Sequence, residues 1–215
     1  MKLKIKIART EIDFPVSDIE NSAWENASPV AVDTYWNGDH APIGRCFTVR
    51  LLWSDEYLYV LFKGDQQEPI VISSSPQLTS KTMNLWDRDV CEIFLAPNKG
   101  QPRKYFEFET APTGEWIDVF IDLTTGTRIT DWEYESGMEA FGNIESGQVM
   151  MSMKIPWSAF GKTPLPGEVW LGNLFRCVGK DLDRGYLAWS PTMTEQPNFH
   201  VPERFGEFEF TDPLD

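Results

Sequence analysis

The sequence is poor in the residues that most often build metal and nucleophile sites. Among 215 residues there are only two histidines and three cysteines. They cannot supply a four-ligand Cys/His zinc site with conventional spacing, and the odd cysteine count leaves at least one thiol unpaired. No Gly-x-Ser-x-Gly elbow is present, and both histidines lie in segments rich in Pro or Gly, so a catalytic triad is not indicated. These residues are His40, His200, Cys46, Cys91 and Cys177.

Basic residues are also scarce. Lys and Arg number 19 against 33 Asp and Glu, which gives a formal net charge of −14. Such a chain repels the phosphate backbone, so nucleic acid is not an expected partner. No apolar run approaches the roughly 20 residues of a membrane helix, and no membrane partner is expected either.

The amino-terminal segment lacks the unbroken apolar stretch of a signal peptide. Residues 2–7 alternate lysine with Leu or Ile, which is a strand pattern. We therefore expect a cytoplasmic protein for the sequence as given, and an extracytoplasmic one if a signal peptide has been removed.

Short β-prone segments separated by turns fill the rest of the chain. Fifteen Gly, fifteen Pro and 13% aromatic residues suit a strand-rich fold, and no repeat or linker divides the chain. We predict one domain over residues 1–215, an all-β, two-sheet antiparallel sandwich of immunoglobulin-like or jelly-roll-like type. Helix is expected only as short turns, in Ser17–Trp24 and Pro156–Gly161. The predicted strands are Lys2–Ala8, Val30–Thr34, Cys46–Trp53, Tyr57–Lys63, Val90–Ala96, Lys104–Thr110, Trp116–Ile121, Arg128–Tyr134, Gln148–Ile155, Val169–Val178, Gly185–Trp189 and Gly206–Phe210.

One predicted strand combines a carboxylate with aromatic residues. In Val90–Ala96 the period of two places three apolar side chains on one face and Glu92, beside Phe94, on the other. Trp86 lies just upstream among charged residues. Pyranose rings pack their C–H faces on aromatic rings and offer hydroxyls to carboxylates, so this pairing suits a sugar. The alternative is an ordinary solvated strand face.

The next predicted strand carries two more acids. Glu107 and Glu109 share a face opposite Phe106 and Phe108, about 6.6 Å apart by strand rise. That separation is compatible with an inverting glycosidase pair, which needs about 6.5–9.5 Å. Such a pair must also flank a cleft, and we expect an open sheet face here. A glycoside-active enzyme using Glu92 with Glu107 or Glu109 is therefore kept as an alternative.

Short segments spread along nearly the whole sequence form one pattern: Asp18–Trp24, Val49–Val60, Trp86–Leu95, Ile155–Trp157, Gly167–Trp170 with Asn173, Ala188–Pro191 and Phe205–Phe208. In order and spacing these segments resemble the family 9 carbohydrate-binding modules. The combination is specific although each segment alone is not. The resemblance implies a β-sandwich related to DOMON-type domains, without catalytic activity, that clamps a terminal sugar of a gluco- or xylo-oligosaccharide between two aromatic rings.

Carried over residue by residue, the resemblance places one ring of the clamp at Trp86, a hydroxyl-binding carboxylate at Glu92 and the second ring at Phe199. The family ordinarily has Trp at the last of these positions. Phe has a smaller face, so the clamp should be weaker. Asn198, beside Phe199, is a hydroxyl partner or simply a turn residue.

Two polar positions depart from the family pattern. Glu107 stands where sugar-binding members have a basic residue, and Phe175 where they have a polar amide. Arg176 supplies a substitute donor if its strand turns it inward, although alternation places Phe175 and Arg176 on opposite faces. Both departures bear on which ligand is chosen.

The resemblance also implies a structural calcium ion, for which the sequence offers Asp65 and Asp89 as oxygen ligands. A glycosidase is the protein partner that such a module implies. The alternative from another class is a haem-binding electron-transfer domain on the same sandwich, with His200 or His40 as axial ligand.

Overall fold

The computed structural model describes residues 2–212, and the all-β class predicted from the sequence is confirmed. Four residues of the predicted domain 1–215, Met1 and 213–215, lie outside the described residues. Thirteen strands are described: β1 (Lys4–Arg9), β2 (Val30–Val32), β3 (Phe47–Trp53), β4 (Tyr57–Asp65), β5 (Val90–Ala96), β6 (Lys104–Thr110), β7 (Trp116–Asp122), β8 (Ile129–Asp131), β9 (Glu139–Glu145), β10 (Gln148–Pro156), β11 (Val169–Val178), β12 (Gly185–Ala188) and β13 (Gly206–Thr211).

Helical structure is limited to short 3-10 turns in the described part of the chain. Two of these turns overlap the segments in which the sequence predicts helix. Across residues 2–212, no helix combines the length and the apolar character that a membrane crossing requires. The turns are Ser22–Asn26, Ile43–Arg45, Leu85–Asp87, Trp157–Phe160, Asp181–Asp183 and Pro202–Arg204.

The strands form one continuous, curled sheet, whereas the sequence predicts two separate sheets. The order is β8-β7-β6-β5-β11-β13-β1-β3-β4-β10-β9, with β12 paired to β11 and β2 paired to β3. We call β8 to β13 in this order the first arm and β1 to β9 the second arm. The arms meet where β1 runs parallel to β13 and to β3, so the sheet is not purely antiparallel.

The main hydrophobic core collects side chains from both arms. Ile93 and Leu174 of the first arm belong to the same buried cluster as Leu51, Phe62 and Met151 of the second. Because side chains alternate across a strand, the residues between these point to the opposite face of their arm. On the first arm that opposite face is also covered, and it holds a second buried cluster.

The sequences of β5 and β6 have the alternating pattern of strands with one polar face, yet both strands are buried almost throughout. The second cluster explains this burial. Phe94, Tyr105, Val119 and Phe175 pack together beneath segments that include Phe199. The open, solvated face expected for Glu92, Glu107 and Glu109 is therefore wrong: all three side chains are buried. Sequence alternation shows which residues share a face, but it does not show which loops cover that face.

Candidate functional site

A cavity of about 340 Å³ lies on the first arm, on the face opposite the main core. Its base is formed by strands β5, β6, β7 and β11. The rest of its wall comes from the turn at Leu85–Asp87, from residues 128, 130 and 132 in and around β8, from residues 184 and 186 in and before β12, and from residues 197–200. Its volume is within the usual range for small-molecule sites.

Three carboxylates converge on this cavity because of the strand register. Glu92 on β5 pairs directly with Glu109 on β6, and Phe94 pairs with Glu107. Residues Glu107 and Glu109 are two apart on one strand, so all three acids share a face. One oxygen from each carboxylate lies within 4.8 Å of the others, closer than the separation of about 6.6 Å expected for an extended strand pair.

Burial and mutual repulsion disfavour the charged form of these acids. Burial raises the pKa of Glu107 from 4.5 to about 7, although a hydrogen bond with Glu109 and the charge of Arg128 act against it. The pKa values of Glu92 and Glu109 are also raised well above normal, first by burial and then by neighbouring carboxylates. At neutral pH the triad therefore retains protons and can donate as well as accept hydrogen bonds.

His200 lies beside the triad but brings no positive charge to it at neutral pH. Its Nδ1 is 2.7 Å from the Tyr105 hydroxyl and 3.9 Å from Oε2 of Glu107. Burial lowers the pKa of His200 to about 3, with the charge of Arg128 acting in the same direction. The imidazole is thus neutral across the physiological range, and it fills part of the cavity wall.

Aromatic side chains line the cavity opposite and around the acids. Trp86 is half-buried, and its ring centroid lies 6.0 Å from that of Trp132, which is 39% exposed. Tyr186 also lines the cavity. Phe199 is buried and stacks on Phe175 at 4.0 Å with the rings 12° from parallel. One face of Phe199 is therefore already covered by protein.

The sequence matches the family described as carbohydrate family 9 binding domain-like over residues 17–212, which is most of the chain. This chain belongs to that family. The membership confirms the resemblance found in the sequence and makes the chain a non-catalytic carbohydrate-binding domain. It does not favour the glycoside-active and haem-binding alternatives.

Solved structures of similar fold agree with this assignment. A candidate carbohydrate-binding protein from Bacteroides uniformis ATCC 8492 superposes with a TM-score of 0.79 at 19% identity, covering 98% of this chain and all of that one. A carbohydrate-binding module family 9 domain from Caldicellulosiruptor kristjanssonii in complex with cellotriose has a TM-score of 0.66 at 16% identity, covering 99% and 96% of the two chains. The same module with glucose gives 0.65 at 16% identity, covering 99% and 98%. At these identities the likeness concerns the fold.

One curated relative is named as an enzyme. Endo-1,4-beta-xylanase C from Paenibacillus barcinonensis is 29% identical over 104 residues, which is 48% of this chain. The match spans only 8% of the length of that xylanase. It therefore carries no statement about catalysis for the family 9 domain described here.

The structure brings five of the predicted ligand-binding residues to the one cavity: Trp86, Glu92, Glu107, Asn198 and Phe199. Asn198 is exposed, and its side-chain oxygen accepts a hydrogen bond from the backbone N–H of His200 at 3.0 Å. It thus holds the turn and also lines the cavity, and its role as a hydroxyl partner stays a prediction.

Arg176 lies away from the cavity, on the opposite face of β11. The guanidinium is buried and donates to the backbone carbonyls of Arg45, Cys46 and Asp65 and to the side chain of Gln66. Its neighbour Phe175 turns to the cavity side, beneath Phe199. Because side chains alternate along the strand, Arg176 points away from the cavity, and the sugar-binding role predicted for it is wrong. Arg176 instead holds neighbouring backbone segments together.

The calcium ion that the resemblance implies at Asp65 and Asp89 stays a prediction. Each carboxylate oxygen of Asp89 accepts a backbone N–H, from Gly179 at 2.8 Å and from Val71 at 3.2 Å. The backbone carbonyl oxygen of Asp65 accepts a hydrogen bond from Nη1 of Arg176 at 2.8 Å. N–H groups directed at both carboxylate oxygens of Asp89 compete with a cation. The contacts of Asp89 therefore do not favour a calcium ion at this residue.

Several cavity residues are not singled out by sequence reasoning. Arg128 and Trp132 flank β8 (Ile129–Asp131), and both lie within the predicted strand Arg128–Tyr134. Tyr186 lies on β12, and Arg184 precedes it. The signal available for Trp132 is a large ring set among acidic residues, the same signal that singled out Trp86.

Proposed function

We propose that the cavity holds the terminal ring of an oligosaccharide, of gluco- or xylo-type in the simplest case. The observation that carries this proposal is the meeting of buried carboxyl groups and exposed aromatic rings in one cavity of about 340 Å³. A cavity of this size suits a single ring with part of a second, which favours recognition of a chain end.

The aromatic rings supply the apolar contact. Trp86 and Trp132 stand close together at the cavity wall, and each retains solvent-accessible ring surface. A sugar C–H face can pack against them while its hydroxyls turn to the acids. Phe199 offers at most one ring face, because Phe175 occupies the other. We infer that Trp86 contributes more to the stacking than Phe199 does.

The carboxyl groups supply polar recognition. A protonated carboxyl donates one hydrogen bond and accepts others, and an ionised one only accepts. Glu92, Glu107 and Glu109 therefore offer hydroxyls both donors and acceptors at neutral pH, because their pKa values are raised. The family resemblance leads us to expect a basic donor at position 107. Protonated carboxyl groups supply hydrogen-bond donors in its place.

The proposal is tested by titrating intrinsic tryptophan fluorescence with glucose, cellobiose, xylobiose and the corresponding alditols. Removal of the ring in Trp86→Ala should weaken binding about tenfold or more, since a stacked aromatic contact contributes on the order of 1 kcal/mol beyond its buried area. A weaker response to the alditols would show that the closed ring at the reducing end is recognised.

Ile129→Ala is the matched control, because Ile129 is 55% exposed on β8 and lies outside the cavity lining. It should bind sugars as the wild type does. If no sugar in the panel changes the wild-type signal, and calorimetry agrees, the proposal fails.

We also propose that the domain works beside a glycan-degrading enzyme, which it holds at its substrate. The support is the stretch of similar sequence within a xylanase. Tethering raises the local concentration of an enzyme without new catalytic contacts. Co-purification with a glycosidase that is released by added oligosaccharide would test this.

A further inference from the structure

The base of the cavity brings together three carboxyl groups, which can become a negatively charged site when they lose their protons. One oxygen each from Glu92, Glu107 and Glu109 lies within 4.8 Å of the others. Oε2 of Glu107 and Oε2 of Glu109 are buried, and apart from the contact between these two carboxyl groups neither has a hydrogen-bond partner within residues 2–212. A buried polar atom without a partner costs free energy, so a ligand that brings several N–H donors is favoured here.

The basic groups around the cavity do not neutralise the acids. Asp87 adds a fourth carboxylate to the lining, against Arg128 and Arg184. The Arg184 guanidinium already donates to four backbone carbonyls, and Arg128 is exposed. His200 is neutral because burial lowers its pKa to about 3. Among residues 2–212, no cationic side chain pairs with the triad at the base of the cavity.

We propose that the preferred ligand of this cavity is a sugar that carries a protonated amino group, such as a glucosamine unit at the end of a chain. This rests on the proposed function, because it assumes that the cavity holds a sugar ring. An ammonium group has three donors and no acceptor, which matches three converging carboxylates. Charge-assisted hydrogen bonds of this kind are about twice as strong as neutral ones.

The aromatic wall distinguishes an amino sugar from a bare metal ion. A divalent cation would occupy a small part of a cavity of about 340 Å³ and would leave Trp86 and Trp132 without a role. A sugar ring fills the space against those rings, and its ammonium group gains cation–π attraction wherever it lies over one of them.

Proton release is a signature that follows from the burial of the triad. The raised pKa values mean that the carboxyls retain protons when the cavity is free of ligand. A bound ammonium group favours their ionised form, so binding expels protons to the buffer. The remaining titratable groups nearby are Tyr105 and Cys177, whose pKa values are raised by burial, and Tyr186.

The test is isothermal titration calorimetry of the wild type with glucosamine, N-acetylglucosamine and glucose, at pH 7 in two buffers of different ionisation enthalpy. Glucosamine should bind at least about tenfold more tightly than N-acetylglucosamine or glucose, because hydrogen bonds to charged groups are stronger than neutral ones. Only glucosamine should release protons. Glu109→Gln should remove most of this preference, whereas Glu145→Gln, on exposed β9, should keep it.

The wild-type panel decides the matter even if Glu109→Gln does not fold. Glucose or N-acetylglucosamine binding as tightly as glucosamine overturns the inference and leaves the proposed function standing. A protein that binds none of the three, and none of the neutral oligosaccharides, overturns the proposed function as well. Calcium or manganese chloride that binds the sugar-free protein through Glu109, while glucosamine does not, shows a metal site and refutes the amino-sugar assignment.

Discussion

Replacing Glu107 with Gln should make the domain more stable at neutral pH than it is now. Burial raises the pKa of Glu107 from 4.5 to about 7. The folded state therefore holds a proton that the unfolded chain has lost between these pH values, and unfolding free energy falls as pH rises through that window. A difference of this size corresponds to about 3 kcal/mol above pH 7, at 1.36 kcal/mol per pKa unit.

Gln imitates the protonated acid, so Glu107→Gln should match the wild type near pH 4.5. The stability difference should then grow to about 3 kcal/mol in favour of the variant by pH 8. His200 acts in the opposite direction, because its pKa is lowered from 6.5 to about 3 and its contribution to stability rises with pH between those values. It is present in both proteins, so the difference between them reports the loss of the Glu107 charge together with the relief of its repulsion on Glu92 and Glu109, which acts in the same direction.

The assay is urea unfolding followed by tryptophan fluorescence at half-unit steps from pH 4.5 to 8. Glu145→Gln serves as the control, since Glu145 is exposed on β9. Its stability difference from the wild type should stay near zero at every pH. A Glu107→Gln curve parallel to that of the wild type, or one that lies below it at pH 8, would refute the burial argument.

Three further substitutions separate structural from ligand-binding roles. Phe199→Ala should lower unfolding free energy by about 3 kcal/mol, because it removes the ring stacked on Phe175; an unchanged denaturation midpoint would contradict that packing. Arg176→Met should destabilise by about 3–5 kcal/mol by leaving buried carbonyls unpaired, while the folded fraction keeps its glucose affinity in calorimetry. Asp89→Asn should cost about 1–3 kcal/mol, because the amide keeps one acceptor oxygen and turns an NH2 group towards the N–H of either Gly179 or Val71. EDTA should leave the wild-type Tm unchanged, and a drop in Tm would show that calcium is bound.

Much of the strand content could be predicted from the sequence, because hydrophobic alternation and turn residues are local signals. Val90–Ala96, Lys104–Thr110 and Val169–Val178 begin and end at the predicted residues. The sequence pattern does not predict strand β9. Its residues Glu139–Glu145 are only partly buried at a sheet edge, so they show no continuous apolar face.

The candidate site was predicted less completely, for two physical reasons. Alternation correctly groups Glu92, Glu107 and Glu109 on one face, but burial of that face depends on loops distant in sequence. Trp132 reaches the cavity through such a loop, and Arg176 leaves it because its partners lie on other segments. The family resemblance indicates where the site lies. The burial of its carboxyl groups, which raises their pKa values, becomes visible only in the packed structure.

The seam between the two arms has a consequence for biosynthesis. Lys4 pairs with Glu207 and Ala8 with Thr211, so the ladder that joins the arms links segments separated by about two hundred residues. During synthesis on the ribosome β1 emerges before β13. Until β13 is made, the main-chain groups on the β13 side of β1 have no strand partner. Non-local pairing of this kind slows folding, and an unpaired strand edge invites association with other chains. Closure of the seam is thus expected to be a late step of folding, and the interval before it is when the nascent chain most needs a chaperone.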